Sequence, residues 1–268
     1  MESIVTQNIN KIRDAEQKKA LNSWAKQGFV GSVIAGTGFG KSRVGVLAVD
    51  YILNQPSRSN KKSALILVPT VQLQDQFRDE FIKWGLEYCL DNVDILCYQS
   101  AYKLQGQHYD IVVCDEIHLG LSDKYRKFFK YNIYDSLLCM TATLPEENEY
   151  KEILEKIAPI VYTITLDQCV DLGIVSPYQI TCMPVSLTAA QFYRCIRERK
   201  NIVDFAENKI VEFQVLVTNN TDKRILAFSG ANAFTDRLTS SVPPLAMAYH
   251  SKKTKKQKEL ALESFKDG

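Results

Sequence analysis

Val30-Gly31-Ser32-Val33-Ile34-Ala35-Gly36-Thr37-Gly38-Phe39-Gly40-Lys41-Ser42 is the stretch that decides how the chain is read. A short β-rich run ends in closely spaced glycines, a lysine and a hydroxyl, and from Ser42 to Leu53 apolar residues recur at helical spacing. Strand, glycine loop and helix in that order fit a phosphate loop, with Ala35 standing where the first glycine usually stands. The glycines let successive N–H groups turn toward one anion, the helix start adds its dipole, and Lys41 brings a point charge to the terminal phosphates. Ser42 is positioned to hold magnesium through its hydroxyl. Gly36, Thr37, Gly38, Phe39, Gly40, Lys41 and Ser42 are therefore the candidate nucleotide-binding residues.

Outward from this loop the same alternation continues. Val30 to Ala35, Ala64 to Val68, Val93 to Cys97, Ile111 to Cys114, Leu137 to Met140 and Val161 to Leu166 read as strands. Ser42 to Leu53, Val71 to Leu86 and Glu147 to Ile157 read as the helices between them. A parallel sheet covered by helices follows. After Leu166 the pattern restarts, with strand-like Tyr178 to Val185, a helical stretch from Thr188 to Val217, strand-like Lys223 to Phe228 and Ala246 to Tyr249, and a last helix from Thr254 to Phe265. The expected organisation is thus α/β, with one domain over residues 1–168 and a second, unfinished parallel-sheet domain over 169–268. Gly173 and Pro177 punctuate the join.

The apolar run Ile111-Val112-Val113-Cys114 ends in Asp115-Glu116-Ile117-His118, which puts two carboxylates at the carboxyl end of a buried strand, the edge where open α/β sheets bind ligands. Asp115 is the natural magnesium partner, and Glu116 the group that positions and polarises an attacking water. Lys41, Asp115 and Glu116 form the candidate catalytic set, and Ser42 and Asp115 the metal set. His118 either couples this site to the second domain or packs beside the strand end.

Composition agrees with a folded protein of this size. The chain has 268 residues, 46% hydrophobic and 24% charged, enough to bury a sizeable core. A net charge of +2 does not by itself identify a polyanion partner. No apolar run approaches the roughly 20 residues that cross a bilayer, and the polar stretch from Glu2 to Arg13 does not resemble a signal peptide, so no membrane partner is expected. The expected location is inside a cell, in cytoplasm or nucleoid, a viral protein in its host included. Seven cysteines without a C-x-x-C pair, among them Cys97, Cys114 and Cys139 in apolar runs, read as reduced core thiols rather than a zinc site.

With these motifs in this order the sequence resembles the superfamily-two helicases, and looks closest to the group of restriction-enzyme motor subunits and phage DNA-unwinding proteins. Leu67-Val68-Pro69-Thr70, with Leu73 and Gln76, resembles a family motif that touches the nucleic-acid backbone, and Tyr98-Gln99-Ser100 a further backbone-contacting loop. Pro69, Thr70, Gln99 and Ser100 are the candidate nucleic-acid contacts. Thr141-Ala142-Thr143-Leu144-Pro145 is similar to the motif linking hydrolysis to strand movement, which makes Thr141 and Thr143 coupling residues with His118. Gln17 resembles the glutamine that reads adenine, an exposed helical glutamine being the other reading, and Arg13 lies one residue farther from it than the family's usual spacing. Gly173 to Tyr178 resembles the entry to a second motor domain, Ile225 to Ser229 its first recognisable strand, and Tyr249-His250-Ser251 its next segment.

The resemblance implies two RecA-like domains, ATP and magnesium as cofactors, and a nucleic-acid partner with DNA favoured over RNA. Oligomeric state is left open. The family's last two motifs do not occur, including the arginines that reach the γ-phosphate. A finger of that kind supplies roughly 10³–10⁵ in rate, so the sequence reads as part of a longer motor. The competing reading is a binding or regulatory module with the same fold and little ATPase activity.

Overall fold

Burial on both faces makes Ala64-Leu65-Ile66-Leu67-Val68 an interior strand, since all five residues are inaccessible to solvent. Such a strand needs sheet neighbours on both edges and helices on both faces. The computed structural model describes residues 4–56, 62–144, 148–180, 189–190 and 207–267. The chain divides into two compact units, Met1–Tyr178 and Gln179–Gly268.

The first unit runs α1 (Ile4–Lys26), β1 (Val30–Ala35), α2 (Lys41–Leu53), β2 (Ala64–Val68), α3 (Val71–Lys83), a 3-10 turn (Glu87–Asn92), β3 (Val93–Cys97) and α4 (Tyr98–Ala101). It continues with β4 (His108–Cys114), α5 (Ile117–Gly120), α6 (Lys127–Tyr131), β5 (Ile133–Thr141), α7 (Asn148–Ile157), β6 (Ile160–Ile164) and α8 (Leu166–Asp171). The six strands form one parallel sheet in the order β3-β2-β4-β5-β1-β6.

Side chains alternate between the faces with period two. Val33, Ile66, Val113 and Met140 enter the cluster with Trp24, Phe77 and Phe81 of α1 and α3, while Leu65, Leu67, Val112 and Cys139 enter the opposite cluster with Ile117, Phe128 and Leu154. Gly45 lets α2 lie close to the sheet: a Cβ there would come within 3.1 Å of Met140 and 3.2 Å of Val113. Cys97, Cys114 and Cys139 lie buried in strands.

Two expected strands are longer in the structure. β4 and β5 begin at His108 and Ile133, through polar residues that lie at the less buried ends of central strands. Leu166, expected to close a strand, instead opens α8. Thr165 accepts from the Gln168 N–H while the Gln168 side chain accepts from the Thr165 N–H, a capping box that favours helix start over strand continuation.

The described part of the second unit is helical: Glu207–Thr218, Asn232–Ser240 and Lys255–Asp267. Here the expected strands Lys223 to Phe228 and Ala246 to Tyr249 are corrected, because neither segment pairs with a strand among the described residues. A strand needs a neighbour to hydrogen-bond and a layer to cover it, yet Phe228 is 89% exposed and Leu226 66%. Of the expected strand Tyr178 to Val185, residues 181–185 lie outside the described residues, as does much of the stretch Thr188 to Val217. His250 pairs with Asp236 at 3.1 Å inside this unit, and Lys253 meets the same carboxylate at 2.8 Å. Among the described residues no helix is long and apolar enough to cross a membrane.

Trp24 ties α1 to the sheet by donating from Nε1 to the Leu137 carbonyl at 2.9 Å, with its ring 1% exposed. Trp24→Phe should lower unfolding free energy by about 1–3 kcal/mol, the cost of a buried acceptor losing its donor, as read by urea denaturation. An unchanged midpoint would show that this tether contributes nothing.

Candidate functional site

β1 delivers its carboxyl end to a loop whose backbone is set by glycine. Gly38 and Gly40 have φ of 87° and 89°, a region that side chains rarely tolerate, and Gly40 is the N-cap of α2. A glycine cap has no side chain to satisfy the first turn. Among the described residues the N–H groups of Thr37, Gly38, Gly40, Lys41 and Ser42 meet no acceptor, while Phe39 N–H closes on the Gly36 carbonyl at 3.2 Å. Free donors around a helix start are what an anion requires. Gly36 leaves no room for a side chain, since a Cβ there would lie 2.9 Å from the Leu166 Cα.

The side chains of the loop divide into anchors and reactive groups. Phe39 is fully buried, with its ring 6.1 Å from that of Tyr162, so it holds the loop to the core and can present only its backbone to a ligand. Thr37 and Gly38 are exposed. Lys41 donates from Nζ to the Ala35 carbonyl at 3.1 Å, which keeps the ammonium folded over the loop.

Gln17 is 2% exposed, which disposes of the exposed-glutamine alternative. Its Nε2 donates to the carbonyls of Phe39 at 2.8 Å and Gly40 at 3.3 Å, and its Oε1 accepts from Arg43 Nη1 at 2.9 Å. Both ends of the amide thus serve the loop and its helix. Arg43 also pairs with Asp14 and stacks over Trp84, 3.9 Å from the ring centre. Arg13 donates to the Ile174 carbonyl at 2.7 Å. Arg43 was missed by sequence reasoning, since an arginine two residues past the loop lysine carries no local signal.

The sheet order brings β5 between β1 and β4, with Thr141 in register with Ile34 and Cys139 with Cys114. Thr141 therefore sits between the phosphate loop and the acidic pair. Its hydroxyl is 2.9 Å from Glu116 Oε2, 3.0 Å from His118 Nδ1 and 2.8 Å from the Thr143 carbonyl. It owns one proton, so it donates to one of these neighbours at a time and can accept from another. His118 Nδ1 also lies 3.4 Å from Glu116 Oε2. Thr141, Glu116 and His118 thus form one polar cluster, with exposed Thr143 at its rim through its backbone.

Burial pushes the Asp115 carboxyl up to about 6, with the neighbouring Glu116 charge adding to the effect and the Lys41 ammonium opposing it. Asp115 N–H donates to the Leu67 carbonyl, and Tyr98 Oη donates to the Asp115 carbonyl, both at 2.8 Å. Glu116 has φ 49° and ψ 54°, a left-handed conformation that turns the chain sharply into α5. Ser42 and Asp115 offer the hard oxygen donors suited to a divalent cation.

The two candidate strand-contacting loops meet. Thr70 caps α3, accepting from the Leu73 N–H at 3.4 Å, and Gln99 donates to the Pro69 carbonyl at 3.3 Å. Thr70, Gln99 and Ser100 are exposed and Pro69 half-buried. They lie beyond the carboxyl ends of β2 and β3, at the same sheet edge as the phosphate loop.

The Asp115 carboxyl is raised from 3.8 to about 6, so its favourable protonated state is fully present below about pH 4 and lost as pH rises through 6. Asp115→Asn should therefore stabilise the metal-free protein by about 3 kcal/mol at pH 7 and by under about 1 kcal/mol at pH 4, in paired denaturation curves. A pH-independent difference would contradict a buried, proton-retaining carboxyl. Relief of the left-handed backbone should make Glu116→Gly more stable than Glu116→Ala by about 1–2 kcal/mol in the same assay. Equal stabilities would mean that the turn carries no strain.

A family model described as "Type III restriction enzyme, res subunit" matches residues 10–146, just over half of the chain. No curated protein sequence matched. Among solved structures, a Dbp5 variant from S. cerevisiae bound to RNA and ADP-BeF3 aligns with a TM-score of 0.58 at 14% identity, covering 100% of this chain and 72% of that one. The UvsW helicase from bacteriophage T4 aligns with a TM-score of 0.42 at 19% identity over 56% of this chain, which spans 58% of that one. The Hef helicase domain of Pyrococcus furiosus aligns with a TM-score of 0.46 at 14% identity over 85% of this chain and 53% of that one. At such identities the structural likeness speaks for fold alone, and the Dbp5 alignment places the sheet among RecA-like helicase domains. By the match that runs from α1 past Thr141, the chain belongs to the type III restriction enzyme res-subunit family, within the superfamily-two helicases.

Proposed function

We propose that the chain is the nucleotide-hydrolysing part of a nucleic-acid motor that uses ATP with magnesium and acts on DNA, driving translocation or unwinding. The observation that carries this reading is the convergence of Lys41, Asp115 and Glu116 on one sheet edge, with the Thr141 hydroxyl on Glu116. The restriction-enzyme family description supports DNA; the Dbp5 structure that contains RNA shares the fold only. Residues 169–268 would contribute part of a second RecA-like domain, and the protein would work inside a cell.

Bound ATP–magnesium supplies the phosphoryl group and most of the positive charge that balances it. The free N–H groups from Thr37 to Ser42 bind the phosphates, and Lys41 leaves the Ala35 carbonyl to meet the terminal ones. Ser42 and Asp115 would hold the cation through oxygen. Gln17 and Arg43 keep the loop in shape beneath the nucleotide, and Gln17 Oε1 retains a lone pair for a base amino group. Glu116 orients a water and accepts its proton at a carboxylate oxygen. Thr141 gives its one proton to Glu116 or to the Thr143 carbonyl, so the charge on Glu116 decides which neighbour it binds. With His118 on the same cluster, hydrolysis changes the bonds of the Thr141–Thr143 segment, which is how the site would couple to strand movement. Pro69, Thr70, Gln99 and Ser100 would contact the strand through its backbone, giving low sequence specificity and high salt sensitivity.

Phosphate release measured with single-stranded DNA, duplex DNA and RNA tests this reading. DNA should stimulate release most, and Glu116→Gln should lower stimulated release by about 10²-fold or more while leaving nucleotide binding intact. Lys41→Ala should lose binding as well. Release unaffected by Glu116→Gln would refute the catalytic assignment, and stimulation by RNA alone would refute the choice of DNA.

A further inference from the structure

Beside the strand-contacting loops lies a cluster that the motif assignments leave unused. Tyr98, fixed through its hydroxyl to the Asp115 carbonyl, has its ring 6.1 Å from that of Tyr125, which in turn is 5.8 Å from that of Tyr102. Two ammonium groups gather on the last ring, Lys124 at 4.6 Å and Lys103 at 5.9 Å from the centre of Tyr102. Lys124 also lies 5.6 Å from the centre of Tyr125.

Both lysines are exposed, and among the described residues neither has a carboxylate partner. The nearest acidic residue in sequence, Asp123, is taken by Arg126. Two like charges on one ring repel each other, and only the negative ring face opposes that repulsion. The tilted ring cluster therefore holds two positive charges without a carboxylate partner among the described residues, on a base made rigid by the buried Tyr98. Such a site favours a ligand with regularly spaced anionic groups. It also begins two residues after Ser100, so a strand lying on Gln99 and Ser100 would continue onto it.

We propose that Lys103 and Lys124, held on Tyr102 and Tyr125, bind two successive phosphates of a nucleic-acid strand and extend its track beyond the Gln99–Ser100 loop. This rests on the reading of the chain as a nucleic-acid motor. The lysines act as point charges, so the site reads no bases and accepts DNA and RNA backbones alike. The tyrosines act by fixing the ammonium groups, which otherwise sweep freely on flexible stems.

The test is fluorescence anisotropy with labelled single-stranded DNA, single-stranded RNA and duplex DNA across a salt series. Lys103→Ala/Lys124→Ala should weaken strand binding about tenfold at low salt and reduce the slope of log affinity against log salt by about 1.4, for two phosphates on a single strand. Nucleotide binding and thermal melting should not move, and Lys103→Arg/Lys124→Arg should restore affinity. Unchanged affinity and slope in the alanine pair, with Gln99→Ala/Ser100→Ala still weakening binding, would overturn this proposal and leave the motor reading standing. Failure of the wild-type chain to bind any strand would instead overturn the motor reading and this proposal with it. Preferential binding of a glutamate-rich peptide at the lysine pair would assign the surface to an acidic protein and likewise overturn it.

Discussion

A helix that starts on a left-handed glycine cannot cap itself. Gly40 leaves the first N–H groups of α2 without partners, and the left-handed turns at Gly38 and Gly40 set the path of the neighbouring loop. Everything around the loop maintains that condition. The backbone of Leu166 leaves no room for a side chain at Gly36, buried Phe39 anchors the turn, and Gln17 occupies the carbonyls of Phe39 and Gly40. An isolated run of unpaired donors costs free energy, so the surrounding core must hold it open for an anion.

The second constraint is topological. Because β5 lies between β1 and β4, Thr141 must stand between the loop and the acidic pair, and one hydroxyl must serve Glu116, His118 and Thr143. A single proton cannot satisfy two acceptors at once, which makes the cluster responsive to the charge on Glu116. Asp115, by contrast, is governed by burial, and its carboxyl holds its proton more tightly than an exposed aspartate until a cation compensates the charge.

The first unit was largely legible in the sequence because its strands are continuous short runs, the central ones buried along most of their length. Ala64–Val68 and Val93–Cys97 fall where apolar runs end at punctuation, and the glycine loop and Asp115-Glu116 are local patterns. What escaped the sequence is whatever depends on distant partners. Gln17 is linked to Arg43 across 26 positions, and Tyr98 to Asp115 across 17, and neither spacing leaves a mark on the chain. Leu166 was misassigned because a capping box outweighed its apolar run. The strands expected at Lys223 to Phe228 and Ala246 to Tyr249 have the right residues but no pairing neighbour among the described residues, since alternation describes a strand's faces and not its edges.

The central claim is that the unpaired donors from Thr37 to Ser42 form an anion site. Residue-resolved amide hydrogen exchange, with and without a non-hydrolysable ATP analogue and magnesium, tests it most directly. Selective slowing at Gly38, Gly40, Lys41 and Ser42 is the predicted result. Unchanged exchange there, with the analogue bound and protection falling elsewhere, would contradict it.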